Sequence, residues 1–124
     1  MKEVIAVVRI NMMNQTKQAL TDAGIAAFFA HEAQGRGQGF INPVLLAGAE
    51  QGYEEAASLL GEKGKLYAKR MVTAVVEDAL VSDVVQAIIA INQTGKPGDG
   101  KIFVLPVANA VRVRTGETGE LSIA

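Results

Sequence analysis

The chain has 124 residues, 49% of them hydrophobic, and a formal net charge of −1. That length suits one domain with a modest core; the apolar share excludes wholesale disorder; the near-neutral charge excludes a global basic field for nucleic acid. There is no cysteine, hence no disulfide or thiolate metal site, and the apolar start MKEVIAVVRIN is too short to span a membrane and lacks a signal-peptide cleavage pattern, so a cytoplasmic protein without membrane insertion is expected.

Two stretches share one rhythm. In the first, Val4, Ile5, Val7 and Val8 are β-branched and apolar, as a buried strand prefers. Asn11 is placed to cap a following helix. Met12, Thr16, Ala19, Leu20 and Ala23 recur at helical spacing and predict its sheet-facing side. Gly24 is expected to end that helix, because a C-terminal cap needs positive φ, and residues 25–33 read as a second strand. In the second stretch, Val72, Val75 and Val76 predict a strand, and Asp78 a helix cap. Val81, Val84, Val85, Ile88 and Ile91 form an apolar stripe, Gly95 a helix end, and residues 102–107 a last strand with Pro106 near its end.

The order β-α-β, long insert, β-α-β predicts an α+β, ferredoxin-like split βαβ fold over residues 1–124 as a single domain. Both helices would cover one face of a four-stranded antiparallel sheet. The other face is apolar and calls for cover, most simply by copies of the same chain. The insert, roughly residues 38–68, is studded with glycines, and EQGYEEAASLLGEKG within it has the pattern of a short helix. The tail, 111–124, reads as a strand fragment and turns.

Three clusters carry possible chemistry. In GKPGDGKIF (95–103), glycines free the main chain to form an anion-binding nest, Lys96 and Lys101 add positive charge, and Pro97 stiffens the loop. A solvated turn is the alternative reading of this loop taken alone. Arg112 and Arg114 flank Val113, so an extended segment would put both guanidiniums on one side, as a polyphosphate requires; surface arginines facing Glu117 and Glu120 are the plainer reading. GRGQG (35–39) supplies either a hinge or a second backbone wall. His31, the only histidine, reads as a packing or edge residue. No activated nucleophile or matched acid–base pair is recognisable, so binding without turnover, not an enzyme, is expected.

TGKPGDGKIFV (94–104) resembles the B-loop signature of the PII family of nitrogen signal-transduction proteins, and AVRVRTGETGE (110–120) its C-terminal signature. Element order matches along nearly the whole chain, and the insert falls at the family's T-loop. KRMVTAVVED, INQTGKPGDGKIFVLPV and the remodelled T-loop are most similar to the nitrogenase-associated NifI branch. The resemblance implies a trimer that binds ATP or ADP between subunits, and 2-oxoglutarate with Mg-ATP at the base of the T-loop. It implies a homotrimer or a complex with a sister PII protein, acting on nitrogenase through the T-loop. By position, Gly35, Gly37, Gln38, Gly98, Asp99, Gly100, Lys101, Arg112 and Arg114 would bind the nucleotide. Gln38 and Lys69, the latter just before the third strand, would bind 2-oxoglutarate, and Gln38 would meet Mg through ATP. Departures exist. GRGQGF is shortened, Thr73 replaces a usual acid near the sugar, and Phe29 stands where a threonine often meets the base. Leu46 replaces a tyrosine that some relatives have uridylylated, so no uridylylation is expected. The alternatives are a PII-like regulator of another nitrogen-metabolism enzyme or transporter, a structural ferredoxin-like oligomer, or a nucleotide hydrolase.

Overall fold

The computed structural model describes residues 1–37, 52 and 66–124. Strand β1 (Lys2–Arg9) leads through a 3-10 turn (Ile10–Met12) into helix α1 (Met13–Asp22), followed by β2 (Phe29–Gly35). After the insert come β3 (Tyr67–Val76), a 3-10 turn (Asp78–Leu80), α2 (Val81–Asn92) and β4 (Lys101–Pro106). The strands pair antiparallel in the order β2-β3-β1-β4. This is the expected ferredoxin-like α+β arrangement. Among the described residues no helix is long and apolar enough to cross a membrane.

Strand periodicity decides what the helices cover. Val4, Ala6 and Val8 of β1 and Val72, Ala74 and Val76 of β3 are buried, and the register sets Val4 against Ala74 and Ala6 against Val72. A side-chain period of two puts them all on one face. Against that face pack Met13 and Leu20 of α1 and Val84 and Ile88 of α2. Between the helices, the Asn92 amide donates to Thr16 Oγ1 at 3.0 Å and to the Ile88 carbonyl at 3.0 Å. The Thr16 hydroxyl donates in turn to the Met12 carbonyl at 2.7 Å.

Several local expectations are corrected. Neither Asn11 nor Asp78 caps a helix, because a 3-10 turn precedes each one and no side-chain cap bond forms. The carboxylate of Asp78 instead meets the Met1 ammonium at 3.0 Å. The turn also rotates α1, so Met13 rather than Met12 faces the sheet. In α2 the buried line steps by four through Val84, Ile88 and Asn92, leaving Ile91 38% exposed. Gly95 does not end α2: the helix stops at Asn92, and Gln93 is already extended.

Gly24 ends α1 as expected, with φ +92°. Its N–H donates to the Thr21 carbonyl at 3.0 Å, and that of Ile25 to the Leu20 carbonyl at 2.9 Å, a Schellman closure. Ile25 is buried as part of this cap, which is why β2 begins at Phe29 and not at residue 25. β3 begins at Tyr67, so Lys69 lies inside the strand rather than ahead of it, and residues 67 and 68 belong to the sheet rather than the insert. Pro106 closes the edge strand β4, where its missing donor costs no ladder bond.

The second face of the sheet carries the odd-numbered residues. One row across it runs Phe29, Thr73, Ile5, Phe103, and the next runs His31, Met71, Val7, Lys101. Phe29 is 69% and Phe103 49% exposed, so the face is apolar at one end and turns cationic toward Lys101.

Candidate functional site

At the cationic end lies a cleft of about 670 Å³. The register builds it. Lys69 of β3 pairs with Arg9 of β1, one row beyond Val7 and Lys101, so the topology brings three cations to the same uncovered face. The end of β2 contributes Gly35, Arg36 and Gly37, and the loop before β4 contributes Pro97, Gly98 and Gly100. Gly35 pairs with Tyr67 in the sheet, and a Cβ added there would meet nothing within 4 Å, so this wall is open on the cleft side.

The loop 94–100 is fixed by its own chemistry. The Asp99 carboxylate accepts from the main-chain N–H of Thr94 at 2.7 Å and of Gly95 at 2.9 Å, and from the Thr94 hydroxyl. Arg9 Nη1 donates to it at 2.8 Å. The Thr94 hydroxyl and N–H bonds, with Arg9 and the Gly95 N–H, hold the Asp99 carboxyl well below the usual carboxylate range. Gly100 is demanded by sterics: its φ is +107°, and a Cβ would sit 1.8 Å from the Val7 carbonyl oxygen. Lys69 Nζ donates to the Gly98 carbonyl at 3.1 Å. Burial first, and then the Arg9 charge, lower its pKa, with Asp99 opposing.

The described lining contains no Asp, Glu, His, Ser or Cys. These residues fit an anion and not a bare divalent cation, so any Mg held here would arrive on a ligand's phosphates. The titratable side chains among the described lining residues are those of Arg9, Arg36, Tyr67, Lys69 and Lys101. Of the residues singled out from sequence, the fold gathers Gly35, Gly37, Lys69, Gly98, Gly100 and Lys101 at this one cleft. Asp99 does not line it, because its carboxylate is turned into the loop. Gln38, Leu46, most of the insert and its short helical pattern lie outside the described residues.

Arg112 and Arg114 do not line the cleft of their own chain, and they do not flank an extended segment. Residues 113–115 form a turn, closed by Arg112 N–H to the Glu117 carbonyl at 2.8 Å and Gly116 N–H to the Arg112 carbonyl at 2.7 Å. Gly116, at φ +73°, makes the reversal possible. Arg112 pairs with Glu117 at 3.0 Å and donates to the main-chain oxygens of Leu121 (3.2 Å) and Ala124 (3.0 Å). The plainer reading, in which Glu117 is the arginine's partner, therefore holds for Arg112 within one chain, and Arg114 is exposed.

Arg9 and Thr94 are site residues that sequence reasoning missed. A lone cation closing an apolar strand, on the same side as Val7, was the available signal for Arg9. A threonine five residues before an aspartate in a glycine loop was the signal for Thr94.

The family model described as "Nitrogen regulatory protein P-II" matches residues 1–117. A "Nitrogen fixation nifHD region GlnB-like protein 2" of Methanothermococcus thermolithotrophicus is 44% identical over 126 residues, covering 99% of this chain and 98% of the relative. A relative of the same description from Methanobacterium ivanovii is 41% identical, covering 99% of each. A "Nitrogen regulatory protein P-II" of Cereibacter sphaeroides is 34% identical, covering 97% of each.

Proposed function

The chain belongs to the nitrogen regulatory protein P-II family, and from that premise we propose that it is a ligand-sensing regulator, not a catalyst, whose cleft binds the phosphate tail of ATP or ADP. The observation that carries this reading is the convergence of Lys69, Lys101, Gly98 and Gly100 on one cleft, with no carboxylate among its described lining residues. Main-chain N–H groups in the loop and the Lys101 ammonium would hold phosphate oxygens, and glycine 35 leaves room for the ligand beside β2. Three chains would cover the exposed Phe29 and Phe103 row. In that trimer, or in a mixed assembly with a sister chain, Arg112 and Arg114 would reach the nucleotide from a neighbouring subunit.

2-Oxoglutarate would join Mg-ATP beside Lys69 and Gln38. A carboxylate drawn to Lys69 would compete with the Gly98 carbonyl for its ammonium, which links that ligand to the nucleotide loop. The insert would then dock on or leave a target, through the different affinities of each ligand for the two arm states. The printed names of the archaeal relatives tie them to nitrogen fixation, so nitrogenase is the proposed target.

Calorimetric titration with ATP, ADP and 2-oxoglutarate, each with and without Mg, tests the proposal. Saturable binding of both nucleotides, and of 2-oxoglutarate only with Mg-ATP, supports it. No heat from either nucleotide leaves a structural oligomer as the reading.

A further inference from the structure

Arg9 stands at the end of β1, beside the cleft, yet its donors are turned toward the loop. Nη1 meets Asp99 at 2.8 Å, and Nη2 donates to the Pro97 carbonyl at 3.2 Å. Asp99 reaches back to the N–H groups of Thr94 and Gly95. A single guanidinium therefore ties both ends of the loop to the sheet. Residue 98 lies beneath it, where a Cβ would come within 3.2 Å of Nη2, at a φ of +101°.

The direction of the loop's carbonyls gives this contact a consequence. Pro97 offers its oxygen to Arg9, and Gly98 offers its oxygen to Lys69. Among the described residues there are no cis peptide bonds, and in a trans peptide the C=O and the following N–H point opposite ways. Drawing both oxygens to the strand cations turns the N–H groups of Gly98 and Asp99 away from them, as two consecutive donors. Two adjacent N–H groups aimed alike are what an anion-binding nest needs. The charge on Arg9 is meanwhile matched by Asp99 at contact distance.

We propose that Arg9 is a positioning residue for the anion loop: it acts through Asp99 and the Pro97 carbonyl to set the affinity of the cleft for a phosphate tail, and is not itself a ligand of the anion. This rests on the cleft being a phosphate site. The fork geometry matters more than the charge, because a lysine ammonium is a point donor that does not span a carboxylate and a carbonyl in a fixed plane.

The test uses the full chain with Arg9→Lys, Arg9→Gln, Asp99→Asn and the Arg9→Lys/Asp99→Asn pair. Thermal unfolding first establishes that each variant folds. In the ligand-free protein, exchange of the Thr94 and Gly95 amides with solvent deuterium reads the loop directly, whether or not a nucleotide binds. Calorimetry with ATP then reads affinity. The expected result is faster exchange and ATP binding weaker by on the order of tenfold in Arg9→Lys and in Asp99→Asn. The pair should be no worse than either alone. Tighter ATP binding by Asp99→Asn would show that a freed Arg9 is itself the ligand and would overturn the proposal. Wild-type affinity in Arg9→Lys, or unchanged amide exchange, would do the same. If the unaltered protein binds no ATP while exchange responds as expected, the phosphate reading falls and Arg9 keeps only its hold on the loop, which also overturns the proposal as stated.

Discussion

Replacing Gly100 by alanine should be among the most damaging single-methyl changes in the molecule. The added Cβ would lie 1.8 Å from the Val7 carbonyl oxygen, and ordinary contact begins at about 3.4 Å. That oxygen belongs to β1 backbone and cannot rotate aside. The φ of +107° also strains any L side chain, at a cost of about 1–3 kcal/mol. Restoring contact distance means parting β1 from β4 at Val7 and Lys101, the last pair of their ladder, at about 1 kcal/mol net for each backbone hydrogen bond lost. The sum is about 2–5 kcal/mol, or a fall of about 10–20 °C in Tm for a chain of this size. Gly95→Ala is the control. It shares positive φ (+82°) but has nothing within 4 Å of the added carbon, so it should cost only about 1–2 kcal/mol. Urea denaturation followed by circular dichroism, at one fixed protein concentration because assembly adds to apparent stability, separates the two. Equal midpoints for the variants would refute the close approach of the loop to β1.

Three further predictions concern the core, the loop and the cleft. Thr16→Val removes one of the two acceptors of the buried Asn92 amide nitrogen and should cost about 1–3 kcal/mol in urea denaturation, with part recovered by Asn92→Leu in the same chain. Asp99 has a depressed folded-state pKa, so its stabilising contribution is complete above the unfolded-state value of about 3.9 and is lost as pH falls through the folded one. Acid unfolding should accordingly show the unaltered protein losing stability below about pH 4 more steeply than Asp99→Asn. Lys101 is exposed, so Lys101→Ala should keep the Tm within about 2 °C while weakening ATP binding about tenfold or more in calorimetry.

The architecture was legible where one residue type has one use. The β-branched apolar runs of β1 and β3 and the glycine after α1 could be read directly, because strand preference and positive φ leave few choices. Helix starts were not. Asn11 and Asp78 are good capping residues, but each falls in a 3-10 turn that no local pattern announces. Asn92 took the core position given to Ile91 because its amide nitrogen finds acceptors in Thr16 Oγ1 on the other helix and in the Ile88 carbonyl. The same limit applies at the site. Glycine 98 and glycine 100 were visible from the loop's composition, whereas Arg9 lies 88 to 90 positions from its partners in sequence and is joined to them only by the β1–β4 pairing. Arg112 and Arg114 misled for a related reason. Alternation implies a shared side only in extended chain, and the Val113–Thr115 segment turns.

The central claim is that the glycine loop and Lys101 grip a phosphate tail in the cleft at the cationic end of the sheet. A crystal structure of the protein grown with Mg-ATP measures this most directly. The account predicts phosphate oxygens within hydrogen-bond distance of the main-chain N–H groups in 98–101 and of Lys101 Nζ, with Arg112 or Arg114 of a neighbouring subunit closing on the same phosphates. A nucleotide lodged elsewhere, or seated here with its phosphates turned away from that loop, would contradict it.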